Sequence, residues 1–178
     1  CRDPAAASKM VETVEQHRMG RNSIGSRVDL RVTGVPLGLG EPWFDGLEPA
    51  LARAMMSIPA ARGVVFGRGF DVVQMTGLEH NDAWGGSSER PELIGANPDG
   101  VIAGLATGSP IHVSIAFKPP SSIATEQHTL NLASGLVEPL VVGGRHDPVL
   151  GPRAVAVVEA MAQLVLADLA LRGGFIDA

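Results

Sequence analysis

The stretch "PLGLGEPWFDGLEPALARAMMSIPAARGVVFG", residues 36–67, contains three kinds of local structure in succession. Its first eleven residues, 36–46, include three glycines and two prolines, which is typical of a loop. From Phe44 to Ser57 we predict a helix, because apolar residues recur at helical spacing: Leu47, Leu51, Ala54 and Met55. The short apolar run "GVVFG", residues 63–67, then predicts a strand. The passage therefore indicates a fold that mixes helices and strands.

The segments on either side extend this mixture. Residues 4–19 predict a helix that Asp3 can cap and Gly20 ends, and residues 28–33 alternate like a half-buried strand. The other predicted elements are a strand over 70–77 that forms a hairpin with 63–67, an extended loop over 77–100, paired strands over 100–106 and 111–117, a weak strand near 128–132, and a helix over 152–172. Helices and hairpins that do not strictly alternate favour an α+β fold over a parallel doubly wound sheet. We expect a single domain over 1–178, without an internal repeat.

The composition excludes several classes of partner. The net charge is −5 with 19% charged residues, so no basic field suits nucleic acid or an anionic membrane. Aromatic residues make up 4% of the chain and tyrosine is absent, which leaves few platforms for stacking bases. The single cysteine, Cys1, excludes an internal disulfide and fits a reducing cytoplasm. We expect no signal peptide, and a chain that begins on cysteine is either processed or part of a longer protein.

One segment, 154–171, is apolar enough to be considered as a membrane span. It is interrupted by Glu159, Gln163 and Asp168, which are costly in hydrocarbon. We therefore predict a buried core helix and no membrane.

Charged groups cluster in "GGRHDPVLGPRAV", residues 143–155, where two interpretations are open. Pro152 suits the first position of a helix, but Arg153 beside it faces the positive end of the helix dipole. Arg153 either extends to water or to a carboxylate, or it shares an anionic ligand with the helix N-terminus. Arg145 and Asp147 either satisfy the turn and each other, or they bind phosphate and handle protons.

The loop "KPPSS", 118–122, follows a predicted strand with a lysine and two hydroxyls, which could form a phosphate cradle. It is not a Walker motif, because G-x-x-x-x-G-K is absent. No pair of histidines has the spacing of metal ligands, so we expect surface or structural roles for the remaining histidines: His17, His80, His112 and His128. The "GLGEP" run, 38–42, is interpreted as a turn leading into the helix.

Several segments together resemble one family. Residues 33–64 resemble the chorismate synthase segment G-V-P-x-G-L-G-E-P-V-F-D-x-L, continued by A-M-M-S-I-P-A-V-K-G-V. "AFKPPSSI" resembles that family's A-x-K-P-T-S-S-I, and "GGRHDPVLGPRAVAVVEAM" resembles its G-R-H-D-P-C-x-x-P-R-A-V-P-V-x-E-A-M. "CRDPAAASKM" is similar to C-P-D-P-x-A-A-x-x-M. The resemblance is collinear over nearly the whole chain.

The resemblance implies a lyase that converts 5-enolpyruvylshikimate 3-phosphate to chorismate and phosphate with reduced FMN, in the shikimate pathway of aromatic amino acid biosynthesis. It implies a β-α-β sandwich of antiparallel sheets and helices, assembled as a homotetramer in the cytoplasm. It also associates the family with NADP, although the sequence does not reveal the source of electrons for FMN.

By motif match, the resemblance assigns a role to each of a set of residues. The implied cofactor-binding residues are Pro59, Ala60, Ala103, Lys118, Pro119, Pro120, Ser121, Ser122 and Arg145. Arg145 and Arg153 are implied to bind substrate, and Asp147 to act near the reacting face of the flavin.

The resemblance also predicts that this chain is incomplete. It matches only the C-terminal half of the family, while the N-terminal half carries the histidines proposed as acids and most substrate-binding arginines. Three departures fall near the implied site: Pro120 replaces a threonine, Asn97-Pro98-Asp99-Gly100 replaces an N-x-A-G-G run, and Ala103 replaces a glycine. An added carboxylate at Asp99 is expected to disfavour a flavin anion. The alternative function is a truncated or divergent homologue that binds flavin or anions without lyase activity.

Overall fold

A computed structural model describes Cys1, residues 3–95 and residues 99–177. Asn97 and Pro98, which belong to the divergent run, lie outside the described residues. The chain divides into two compact units: unit 1 holds Cys1–Ser26 and Phe117–Pro152, and unit 2 holds Arg27–Ala116 and the chain from Arg153 onward. The single-domain expectation stays a prediction.

Unit 1 contains one helix and one hairpin. Helix α1, Pro4–Met19, begins as predicted, because the Asp3 carboxylate accepts hydrogen bonds from the amides of Ala5 and Ala6, and it ends at Gly20. Strand β8, Gln127–Leu130, pairs antiparallel with β9, Val137–Leu140. The weak strand near 128–132 is thus confirmed, while its partner β9 was not predicted.

Unit 2 is built on a three-stranded sheet in the order β1-β7-β2, formed by β1, Ser26–Val32, β7, Ile111–Phe117, and β2, Ala61–Phe66. Helix α2, Leu47–Ser57, contacts β2. The alternating strand β7 and the predicted face of α2 supply six of the eight largest fully buried side chains: Leu47, Leu51, Met55, Ile111, Val113 and Ile115. The α+β class is therefore confirmed.

The helix predicted from Phe44 starts three residues later than expected. A 3₁₀ turn over Trp43–Asp45 comes first, and Gly46 between the two has an extended ψ of 159°. Because a helical residue needs a ψ near −40°, Gly46 separates the turn from α2.

The strand predicted over 70–77 is wrong. Residues Gly69–Gln74 form a 3₁₀ helix. Phe70 and Val73 are exposed, so their apolar side chains contribute no burial that would stabilise a strand. Gly67 and Gly69 both have positive φ and turn the chain away from β2.

The featureless loop predicted over 77–100 is also wrong over most of its described part. Helix α3, Gly77–His80, starts with a capping box between Thr76 and Glu79. Strands β3, Ala83–Gly86, and β4, Pro91–Ile94, then form an antiparallel hairpin.

The predicted pairing of 100–106 with 111–117 is wrong as well. Strand β5, Val101–Ile102, pairs with β6, Leu105–Ala106, around a two-residue turn at Ala103 and Gly104. Both turn residues have positive φ, as a tight hairpin turn of the I′ type requires. Strand β7 is thereby left to occupy the centre of the three-stranded sheet.

Helix α4, Gly151–Arg172, confirms the predicted C-terminal helix. Among the described residues it is long and apolar enough to cross a membrane by length and composition, and 22% of its 18-residue apolar window is buried. One face is buried through Ala154, Val158, Ala162 and Leu169, while Val155, Val157 and Leu164 are exposed. The prediction of a buried core helix holds for that one face only.

Candidate functional site: two anchored loops and two strained turns

The "KPPSS" loop of unit 1 is held by its backbone and leaves its side chains accessible. The Ser23 hydroxyl donates to the Pro120 carbonyl oxygen at 2.6 Å, and the Ile123 amide donates to the Ser121 carbonyl oxygen at 3.1 Å. Lys118, Ser121 and Ser122 are exposed, and no hydrogen bond within the described residues engages their side chains. The loop thus presents one ammonium and two hydroxyl groups to solvent.

The "RHDP" loop of unit 1, residues 145–148, is anchored in a similar way. The Ile24 amide donates to the Pro148 carbonyl oxygen at 2.8 Å, and His146 Nε2 lies 3.0 Å from the Gly143 carbonyl oxygen. Arg145 is exposed, with no ion pair among the described residues, and Asp147 is half-buried. The guanidinium of Arg145 is therefore available to an anion.

Both loops are fixed by two adjacent residues. Ser23 bonds one loop and Ile24 bonds the other, so the segment between α1 and β1 links them within unit 1. Thr125 adds a third bond to this segment, since its hydroxyl donates to the Arg21 carbonyl oxygen at 2.8 Å. Sequence reasoning missed Ser23, because its partner is 97 positions away and "RNSIG" carries only turn-forming signals. The structure therefore brings Lys118–Ser122 and Arg145–Asp147 onto one support.

In unit 2 the implied site residues lie on two turns. The Ala61 amide donates to the Ile58 carbonyl oxygen at 3.1 Å, which closes a turn with Pro59 and Ala60 at its centre. Ala60 has φ of +71°, as the third residue of a type II turn requires. Ala103 has φ of +54° in the β5–β6 turn.

These positive φ angles are informative because side chains rarely tolerate them. Among the described residues, the non-glycine residues with positive φ are Arg21, Trp43, Ala60 and Ala103. Two of them are residues that the family resemblance implies for the cofactor. Strained backbone persists only where the surroundings enforce it and is concentrated at functional sites. This geometry is an observation independent of the motif match.

Asp99 faces His80 in unit 2. Asp99 Oδ2 lies 3.3 Å from His80 Nε2, close enough for an ion pair when the imidazole is protonated, although the geometry is not that of a hydrogen bond. The two groups line a cavity of about 140 Å³ together with Asn81, Asp82 and Thr107. Burial, and secondly the negative charge of Asp99, raise the pKa of Glu48. The structure thus gives His80 a partner; the effect of Asp99 on a flavin anion stays a prediction.

The other histidines lie apart from these features. His17 Nδ1 is 2.8 Å from the Thr13 carbonyl oxygen of its own helix, while His112 and His128 are exposed on strands. Within the described residues, no group of three or more His, Cys, Asp or Glu side chains is arranged to hold a metal ion. The accessible groups of the two loops in unit 1 are the Lys118 ammonium, the Arg145 guanidinium and the hydroxyls of Ser121 and Ser122.

Comparisons with known proteins agree on one family. The chorismate synthase family model matches residues 1–171. The chain is 43% identical over 176 residues to a chorismate synthase of Dehalococcoides mccartyi, covering 99% of this chain and 48% of that protein. It is 46% identical over 175 residues to one of Roseiflexus castenholzii, covering 97% of this chain and 48% of that protein.

A solved structure supports the same conclusion. A crystal structure of a chorismate synthase superposes with a TM-score of 0.75 at 27% identity, covering 96% of this chain and 44% of that one. The chain therefore spans about half the length of the relatives it matches. By sequence and by fold, the chain belongs to the chorismate synthase family.

Proposed function

We propose that this chain supplies half of a chorismate synthase, which converts 5-enolpyruvylshikimate 3-phosphate to chorismate and phosphate with reduced FMN. The observation that carries the proposal is the pair of loops in unit 1, which present Lys118, two serines and Arg145 from one support. Membership of the family supports the choice of reaction.

The proposed reaction depends mainly on binding the anionic groups of substrate and cofactor. The substrate loses a proton and its phosphate in an anti-1,4-elimination, with no net oxidation. Reduced FMN, when bound, supplies transient electron donation. Lys118 and Arg145 would bind the anionic groups of cofactor and substrate, since arginine can hold a phosphate through two parallel hydrogen bonds. The hydroxyls of Ser121 and Ser122 would donate further hydrogen bonds.

The hydrogen-bond donors of the two loops in unit 1 suit FMN, except that Pro120 supplies no donor. The exposed ammonium, guanidinium and hydroxyl groups suit a phosphate and a flavin carbonyl edge. Pro120 has no amide hydrogen, so its backbone cannot donate a hydrogen bond to the flavin, and the same holds for Pro119. Pro59, Ala60 and Ala103 would offer backbone at the tips of their turns.

Asp147 and Arg153 complete the proposed roles. Asp147 shares its loop with Arg145 and is half-buried, which suits a carboxylate that holds or accepts a proton near the reacting atoms. Arg153 lies at the start of α4, where the helix N-terminus also favours an anion. We assign Arg153 to the substrate.

The partners follow from charge and from exposed surface. The mildly acidic chain suits a cytoplasmic enzyme without nucleic acid or membrane partners. Helix α4 has exposed apolar residues, which suit coverage by the N-terminal half of the enzyme. We assign the complete enzyme to a homotetramer. NADP belongs to this proposal only as an associated nucleotide.

The proposal is tested by flavin binding. The chain is coexpressed with the half of the Roseiflexus castenholzii relative that it does not match, and we call this pair the complemented enzyme. FMN is titrated and followed by its fluorescence. Lys118→Ala is expected to weaken FMN binding at least tenfold, whereas Lys9→Ala, which changes the only other lysine, leaves it unchanged. Equal binding by both variants would refute the assignment of Lys118.

A further inference from the structure

The "GLGEP" run and the residues after it contact the turn that carries Ala103. The Gly38 amide donates to the Ala106 carbonyl oxygen, and the Ala106 amide donates to the Leu39 carbonyl oxygen, both at 2.8 Å. The Leu47 amide, at the start of α2, donates to the Gly104 carbonyl oxygen at 2.9 Å. Residues 38–47, which we call the 38–47 segment, thus hold the C-terminal side of the β5–β6 turn, at Gly104 and Ala106.

Glycine is required where the two backbones meet. A Cβ on Gly46 would lie 2.9 Å from Gly104 Cα, and a Cβ on Gly40 would lie 2.3 Å from the Gly104 carbonyl oxygen. In the reverse direction, a Cβ on Gly104 would lie 2.3 Å from the Glu41 carbonyl oxygen. No side chain fits between the segments, so the position of the turn is set by direct backbone contact.

The same segment is fixed in the core on both sides of this contact. Leu39 and Leu47 are 2% and 0% exposed. The segment therefore moves only at the cost of buried apolar surface. A support of this kind explains how Ala103 keeps a positive φ, which an alanine leaves unless its surroundings forbid it.

We propose that Gly40 and Gly46 are positioning residues for FMN: they let the 38–47 segment press against Gly104, which fixes Ala103 in the left-handed conformation that meets the flavin. The inference rests on the proposed function and assigns a role to a motif that local sequence explained only as a turn. Gly40 and Gly46 do not touch the cofactor in this account; they act through the backbone of Gly104.

Gly46→Ala is the sharpest test, because φ of −57° and ψ of 159° at Gly46 suit alanine. The change therefore acts through close contacts of the added Cβ, with Gly104 Cα at 2.9 Å and with the carbonyl oxygens of Glu41 and Trp43 at 3.0 and 3.1 Å. Gly34→Ala, which lies just before the 38–47 segment, is the matched control. Its φ of +76° strains an alanine, but nothing lies within 4 Å of the added Cβ. Both variants are made in the complemented enzyme, and Tm and the Kd for FMN are measured for each.

We expect Gly46→Ala to raise the Kd for FMN at least tenfold at a temperature where the variant is folded. Gly34→Ala is expected to lower Tm and leave Kd within twofold of the original. A folded Gly46→Ala variant with an unchanged Kd overturns the inference, and so does an equal rise in Kd for Gly34→Ala, since that would make general destabilisation the cause.

Hydrogen exchange of the unmutated complemented enzyme decides the matter if Gly46→Ala does not fold. FMN should slow exchange of the Leu47 amide, which bonds Gly104, and of the Ala106 amide, which bonds Leu39, at least threefold relative to the Ala54 amide in the second half of α2. Equal exchange with and without FMN overturns the inference. The outcomes separate the two proposals. If Lys118→Ala loses FMN binding and Gly46→Ala does not, only the present inference is rejected. If the unmutated complemented enzyme does not bind FMN, both proposals are rejected.

Discussion

Replacing Ser23 with alanine removes the hydrogen bond that holds the "KPPSS" loop and leaves every proposed ligand of the flavin in place. The Ser23 hydroxyl donates to the Pro120 carbonyl oxygen at 2.6 Å, in a partly buried position. A hydrogen bond of this kind contributes about 1 kcal/mol to folding. For a chain of this size, that loss lowers Tm by roughly 2–4 °C.

The same free energy sets the expected effect on binding. If the hydrogen bond serves to hold the loop ready for FMN, losing about 1 kcal/mol weakens binding about fivefold, since 1.4 kcal/mol corresponds to tenfold. FMN titration of the complemented enzyme measures this directly. Ser57→Ala is the matched control, because the Ser57 hydroxyl also donates to a backbone carbonyl, that of Ala54 at 2.7 Å, at the end of α2.

The two readouts separate a structural role from a positioning role. We expect Ser23→Ala to change both Tm and Kd, Ser57→Ala to leave Kd unchanged, and Ser23→Thr, which keeps the hydroxyl, to restore binding. A lower Tm with an unchanged Kd for Ser23→Ala would show that the anchored loop does not contribute to the flavin site.

Two further predictions follow from the site and its surroundings. Arg145→Ala should weaken FMN or substrate binding about tenfold or more in the complemented enzyme. Tm should be nearly unchanged because the side chain is exposed, and Arg31→Ala, at a position that is also exposed, should alter neither binding nor Tm. A large fall in Tm with unchanged affinity would support the simpler view of Arg145 as a turn residue. Glu48→Gln should raise Tm at neutral pH, because burial and the charge of Asp99 raise the pKa of Glu48 in the folded protein. Ionisation of Glu48 therefore lowers the free energy of unfolding as the pH rises from about 4.3, the ordinary glutamate pKa, through the raised pKa of the folded protein. The gain in Tm should vanish below that window, and a gain that is equal at pH 4 and pH 7 would contradict this account.

The parts of the fold that could be predicted are those set by local pattern. Helices α1, α2 and α4 and strands β1 and β7 follow the spacing of their apolar residues, and Asp3 caps α1 as its sequence position indicates. The failures lie where pairing depends on distant chain. "FDVVQ" has a strand-like composition, but the segment forms a 3₁₀ helix that leaves Phe70 and Val73 exposed.

The candidate site divides in the same way. Family motifs placed Lys118–Ser122 and Arg145. The exposure of the Lys118, Ser121, Ser122 and Arg145 side chains suits the proposed roles. No local pattern could show that Ser23 bonds Pro120 from 97 positions away, or that Gly46 meets Gly104 across a space too narrow for a methyl group. Both contacts join segments that are remote in sequence, and only the folded chain brings them together.

The most direct test of the central proposal is turnover of 5-enolpyruvylshikimate 3-phosphate under reducing, anaerobic conditions with FMN. We predict that the complemented enzyme releases phosphate and chorismate in equal amounts, and that the 178-residue chain by itself releases neither. Flavin binding by the complemented enzyme without any chorismate would contradict the account and favour a homologue that only binds. Chorismate formed by the chain alone would equally contradict it, because half of the family's length would then suffice for catalysis.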